Sequence, residues 1–273
     1  MNRFLLAVSV SVAACGGAPN PAWDSSNASQ RIQVALVSLP PEASAELNRS
    51  RIVDHVELVK AEHPAARLIA FGELSLGWYW KGFDASYQRS VAEPLDGPTI
   101  TRLRALAKQH HTFISLGFAE LADDKVFNAA VVIDDAGELV AHKRKANFVP
   151  MDDFGGFTKG ERTAPTFTID GVKAALLICN DFNDATTVAS ITGDRDVRLV
   201  LLPQASAGLK PETVERSPYP FQGAWMLAPQ RLGWEGADRY LGGWVVDPNG
   251  AVPARADGNT VIVTELAFTT NGS

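Results

Sequence analysis

The sequence predicts an α/β fold with helices packed on sheets, and two observations predict it. Short apolar runs rich in Val, Ile and Leu recur from Arg31 onward, and helical patterns fall between some of them. Strand, helix, strand is the order of layered α/β proteins. The first run, "IQVALVSL" (32–39), reads as a strand. Before the second, "ARLIAF" (66–71), residues Ile52, Val53, Val56 and Val59 share one helical face. Leu103, Leu106 and Ala107 do the same before "TFISLGF" (112–118). Four more strands follow: "NAAVVID" (128–134), "KAALLIC" (173–179), "VRLVLL" (197–202) and "GGWVVD" (242–247).

Two stretches echo each other. "ARLIAFGELSLG" (66–77) and "VRLVLLPQASAG" (197–208) share the order strand, turn, polar residue, serine, glycine, with Glu73 opposite Gln204. "AAVVIDDAGELVA" (129–141) resembles "GGWVVDPNGAVPA" (242–254), each a hairpin with a tight turn. The echoes fit two similar halves folded against each other. They also fit the general likeness of buried strands and tight turns.

Composition bounds the rest. The 273 residues are 46% hydrophobic and 21% charged with net charge −6, as in an ordinary globular protein. No basic surface offers itself to nucleic acid, since the densest run, "HKRK" (142–145), is short. The opening "MNRFLLAVSVSVAAC" places one arginine before an apolar run too short to span a bilayer, ending in small residues. Residues 1–14 therefore read as an export signal. Val12-Ala13-Ala14-Cys15 is similar to a bacterial lipoprotein signal, in which Cys15 becomes the lipidated residue; an incidental cysteine after a secretory peptide is the plain alternative. Gly16 lacks the aspartate that marks inner-membrane retention, which leans toward a lipid-anchored protein of the outer membrane. Residues 15–30, rich in Gly, Pro, Ser and Asn, read as a flexible tether, and 31–273 as the folded domain. With Cys15 acylated, Cys179 is left as a free thiol.

The sequence has no G-x-S-x-G elbow, P-loop, G-x-G-x-x-G, H-E-x-x-H or C-x-x-C, so no metal or cofactor is expected. What remains stands at strand ends, where sites of α/β sheets gather. Glu73 follows "LIAF", Lys145 follows the strand-like "ELVAH", and Cys179 ends "AALLI". A carboxylate can take a thiol's proton, and an ammonium can hold an oxyanion. Each alone has an ordinary alternative: core cysteine, capping acid, solvated lysine. Lys143 competes with Lys145, because residues two apart on a strand point to the same face.

At this point several segments resemble, in order, the nitrilase or carbon-nitrogen hydrolase superfamily. "LIAFGELSLGW" resembles its glutamate motif, "LGFAE…VFNAAVVIDDAGELVAHKRKANF" its lysine motif, and "FGGFTKGE…FTIDGVKAALLICND" its nucleophile motif. "GGWVVDPNGAV" resembles a hairpin near the end. The resemblance implies a four-layer αββα sandwich with internal pseudo-symmetry. It also implies a Glu-Lys-Cys triad of Glu73 as general base, Lys145 as stabiliser of the tetrahedral intermediate and Cys179 as nucleophile, with the Asn180 N–H completing the oxyanion hole. A second glutamate often lies eight residues beyond the lysine, which places Asp153 there. Glu120 matches a family position and is a candidate for hydrogen bonding in the site, with a structural role as the alternative. Trp78, with Tyr79, Trp80 and Phe83, is a candidate pocket wall or an edge of the core.

The implied substrate is a small amide. Gly72 in place of the usual proline is expected to loosen the turn before Glu73, and Asn183 stands where an arginine is common. A homo-oligomer enters with the resemblance, against Pro211, Pro218 and Pro220 in a stretch where members place a dimer-supporting helix. Two further functions stay open: acyl transfer to an amine, and a non-catalytic binding lipoprotein that keeps the fold.

Overall fold

Alternation along the first strand, β1 (Gln30–Val37), divides the interior in two. Ile32, Val34 and Leu36 join one buried cluster while Ala35 and Val37 join another, as the two-residue period of a strand requires. The structure, a computed structural model, describes residues 24–79, 84–207, 211–212, 219–258 and 260–269. The export signal, Cys15, Trp80, Phe83 and Pro218 lie outside the described residues.

The first sheet continues with β2 (Leu68–Phe71), β3 (Phe113–Ala122), β4 (Lys125–Ile133) and β5 (Leu139–Arg144), and gains β14 (Val261–Phe268) beside β1. The second contains β6 (Thr166–Ile169), β7 (Val172–Leu176), β8 (Val197–Leu201), β9 (Trp225–Ala228), β12 (Trp244–Val246) and β13 (Ala254–Arg255). A separate hairpin joins β10 (Leu232–Glu235) to β11 (Asp238–Leu241). From the β14 edge of one sheet and the β6 edge of the other, both read antiparallel, parallel, parallel, antiparallel, antiparallel. This pairing sets β2 on β8 and the β4–β5 hairpin on β12–β13, the two echoes read in the sequence.

The helices are α1 (Ala45–Glu62), α2 (Ala85–Val91), α3 (Pro98–His110), α4 (Pro150–Phe154) and α5 (Ala185–Thr192). Ser44 caps α1 by accepting the Leu47 N–H, and Pro98 opens α3 where its missing N–H costs nothing. Ile52, Val56 and Val59 of α1 and Leu103, Leu106 and Ala107 of α3 bury against the outer face of the first sheet. Ile191 of α5 does so on the second. Between the sheets, side chains of both halves form one cluster that includes Leu36, Leu68, Ala174, Leu176, Leu199 and Leu201. Each fully buried Leu, Ile or Val there stabilises by about 1.5–3 kcal/mol, so the shared layer holds the halves together. The result is helix, sheet, sheet, helix. Among the described residues no helix is long and apolar enough to cross a membrane.

Candidate active site

Glu73 leaves the end of β2 through Gly72. A Cβ on Gly72 would meet Gln204 O at 3.1 Å and the Gln230 carbonyl carbon at 3.2 Å, so the second half of the chain comes close enough to favour glycine. The turn is not loose. The Gly72 carbonyl accepts from Ser75 Oγ at 2.8 Å and Gly117 N at 3.2 Å, and Glu73 N donates to Gln204 O at 3.3 Å.

The Glu73 carboxylate is wholly buried. Its Oε1 accepts from Lys145 Nζ at 2.8 Å and Asn128 Nδ2 at 2.7 Å, and its Oε2 from Ala205 N at 2.7 Å. Burial alone would raise the Glu73 pKa, but the Lys145 charge and these donors hold it below its ordinary value. Lys145 stands one residue beyond β5, with no exposure, and its Nζ also reaches Asp152 Oδ2 at 2.8 Å. Burial works against its charge, and the Glu73 carboxylate and its neighbours overcome that and raise its pKa. Lys143 shares the face, as its spacing requires, but its Nζ donates to the carbonyls of Arg144 and Glu161 and lies 3.5 Å from Asp181 Oδ2.

Cys179 follows β7 and opens a 3-10 turn, Cys179–Asn183. Its φ of +43° lies in the left-handed region, unusual outside glycine and a mark of backbone held by its surroundings. Cys179 N donates to Pro203 O at 3.0 Å. Burial, then the Glu73 charge, push the thiol pKa up, with Lys145 opposing, so the resting sulfur is a thiol rather than a thiolate. Asp181, two residues on, accepts from Ala146 N at 3.0 Å and Asn147 N at 2.9 Å, which ties the cysteine turn to the chain just past Lys145. Asn180 is half-buried; its carbonyl accepts from Asn147 Nδ2, its Nδ2 donates to Phe148 O, and its Oδ1 accepts from Asn183 Nδ2.

Other expectations need correction. Asp152, not Asp153, meets Lys145: in α4 the two side chains leave the helix about 100° apart. Asp152 turns inward, where its Oδ2 also accepts the Val149 N–H, and Asp153 turns to solvent. Glu120 lies outside the site. It shares the helix-facing side of β3 with Phe118 and pairs there with Arg144 Nη2 at 2.5 Å and His142 Nε2 at 2.8 Å, bracing the strand that carries Lys145. Trp78 is half-buried, with its backbone held by Tyr87 and Gln88. Its neighbour Tyr79 presents the ring instead, 5.6 Å from Lys145 Nζ. The sequence reading also passed over Asn128, whose Nδ2 bridges Glu73 and Asp152 Oδ1, and Ala205. Around these charges Leu74, Tyr79, Ala119, Val126, Phe157 and Ala205 form a separate apolar cluster. Among the described residues no group of three or more His, Cys, Asp or Glu is arranged to hold a metal ion.

Comparison with known proteins finds relatives, a solved structure and a family model. A hydrolase encoded in the pqqF 5' region of Pseudomonas protegens is 30% identical over 178 residues, 64% of this chain and 60% of that protein. An (R)-stereoselective amidase of Pseudomonas sp. is 34% identical over 104 residues, 38% of this chain and 37% of that one. This chain thus spans less than two thirds of either relative's length. In structure, a variant of the amidase from Nesterenkonia sp. AN1, in complex with butyramide, matches with a TM-score of 0.70 at 20% identity, covering 89% of this chain and 92% of that one. That likeness establishes the four-layer sandwich. The family model for carbon-nitrogen hydrolases matches residues 33–271, and this chain therefore belongs to the carbon-nitrogen hydrolase family.

Proposed function

We propose that this protein hydrolyses a small non-peptide amide through a thioester on Cys179. The observation that carries the reading is the buried Lys145 ammonium held at 2.8 Å by both Glu73 and Asp152, beside a buried thiol that faces Glu73. The thiol attacks the amide carbonyl carbon while its proton passes to Glu73. Negative charge that develops on the carbonyl oxygen is held by Lys145 and by the Asn180 N–H, one of the donors that a helical turn leaves open at its start. The protonated Glu73 then delivers its proton to the leaving nitrogen, and ammonia or an amine departs as the C–N bond breaks. Water, deprotonated by the same carboxylate, attacks the thioester; the acid leaves and the thiol is restored. Asp152 keeps Lys145 charged and leaves Glu73 free to move its proton.

The apolar cluster of Leu74, Tyr79, Ala119, Val126, Phe157 and Ala205 supports a small uncharged amide as substrate. The test is ammonia release from a panel of small amides, nitriles and carbamoyl compounds, with butyramide included because the Nesterenkonia amidase binds it. Release by residues 31–273 that vanishes in Cys179→Ala is the expected result; release that persists in the variant ends the proposal. We further infer that Cys15 carries a lipid anchor, supported by the signal-like residues before it. Buried acyl chains add about 0.8 kcal/mol per CH₂, so Cys15→Ser should move the protein from the membrane to the soluble fraction. Retention at the membrane would contradict the anchor.

A further inference from the structure

The 73–77 turn that carries Glu73 is held from the other half of the molecule by one side chain. Arg231, buried just before β10, donates from Nε to Glu73 O at 3.1 Å, and from Nη2 to Leu74 O at 2.5 Å and Gly77 O at 2.8 Å. Its Nη1 lies 2.8 Å from Glu235 Oε2, in a pair with 2% and 0% exposure. The other oxygen of Glu235 accepts the Tyr79 N–H. Within this turn Leu74 has φ +49°, a conformation that a leucine holds only when its surroundings fix it. The planar guanidinium fork is what allows one residue to satisfy three carbonyls and a carboxylate, and a lysine ammonium cannot reproduce it.

We propose that Arg231 and Glu235 are positioning residues for the reaction, fixing the backbone on which the Glu73 carboxylate and the Tyr79 ring are aimed. The inference rests on the amidase reading for its role in turnover, but its geometry is independent of substrate. Without the fork the carboxylate keeps its partners Lys145, Asn128 and Ala205 while its own main chain is released. Its direction toward the Cys179 thiol is then set less firmly. Misplacement of a reacting group by about 1 Å costs on the order of 100-fold in rate.

The test uses Arg231→Lys, which keeps the charge and removes the fork, together with Glu235→Gln, which keeps an acceptor for Tyr79 and removes the charge. Two rates are read at neutral pH: amide turnover, and alkylation of Cys179 by fluoroacetamide, in which fluoride leaves, Glu73 assists by accepting the thiol proton, and hydrolysis takes no part. The expected result is a fall in kcat on the order of 100-fold, with KM little changed and alkylation slowed in parallel. In a Glu73→Gln background, Arg231→Lys should slow alkylation no further, because both changes remove the same function. Unchanged rates in folded Arg231→Lys would overturn the proposal. So would an equal, additive slowing in the Glu73→Gln background, which marks a general structural role. If Arg231→Lys does not fold, Glu235→Gln carries the same comparison. If the wild-type protein releases no ammonia, the amidase reading fails and the alkylation rates alone decide this one.

Discussion

Glu73 and Cys179 face each other in opposite states: the carboxylate stays ionised although buried, and the thiol stays protonated. In the proposed reaction such an arrangement moves a proton during attack instead of storing a thiolate. Glu73→Gln should therefore reduce turnover by about 10²–10⁴-fold, the usual worth of a general base. It should also let Cys179 ionise at lower pH, because the Glu73 charge helps to hold the thiol pKa up. Ultraviolet thiolate absorbance against pH checks this, and a midpoint unmoved or raised would contradict it. Lys145→Met should cost more than activity, since it leaves Glu73 and Asp152 buried without their common cation; removing one partner of a buried pair costs about 3–5 kcal/mol. A denaturant midpoint close to wild type would count against that. The three residues that the structure brings together, Glu73, Lys145 and Cys179, were legible because their motifs are local. Asp152 was missed because counting along the chain does not see the phase of a five-residue helix, and Arg231 because its partners are carbonyls 154 to 158 residues away.

Strand β3 passes so close to the Glu73 turn that its own composition is constrained. A Cβ on Gly117 would stand 2.6 Å from Gly72 O and 2.7 Å from Glu73 Cα, with no flexible side chain to yield. Gly117→Ala should thus displace the turn and lower kcat strongly, at a stability cost of about 1–3 kcal/mol as for other overpacked sites; a fully active variant would contradict the contact. The link from the Lys145 segment to the Cys179 turn has a different cost. Burial, against their mutual attraction, raises the Asp181 pKa and lowers that of Lys143, so this pair fixes geometry while desolvation opposes its charges. At this scale the sequence showed the strands that carry long apolar runs. It hid β6, β9, β10, β11 and β14, and helices α2, α4 and α5, whose segments are short, alternate with polar residues, or take their form from neighbours already in place.

In the whole molecule, the first half supplies Glu73 and Lys145, the second supplies Cys179, and Gly72, Gln204 and Arg231 meet where the halves join. The repeated strand order that the echoes suggested is present in both sheets, while the four-layer arrangement itself was expected only from the family resemblance. The charge network also links stability to pH. Because the folded Glu73 pKa is depressed, its contribution is present above its ordinary value of 4.5 and is lost as pH falls through the folded value. Because the Lys145 pKa is raised, its contribution is full below 10.5 and is lost only as pH climbs through the higher folded value. Acidification should accordingly lower the unfolding midpoint of wild type more steeply than that of Glu73→Gln; equal slopes would contradict the assignment. The protonated state of Cys179 has one more consequence. Peroxides attack thiolates that solvent can reach, whereas Cys179 is 6% exposed and burial raises the pKa of its thiol. The proposed nucleophile is thereby sheltered from sulfenic acid formation by the same burial and neighbouring carboxylate that raise its pKa.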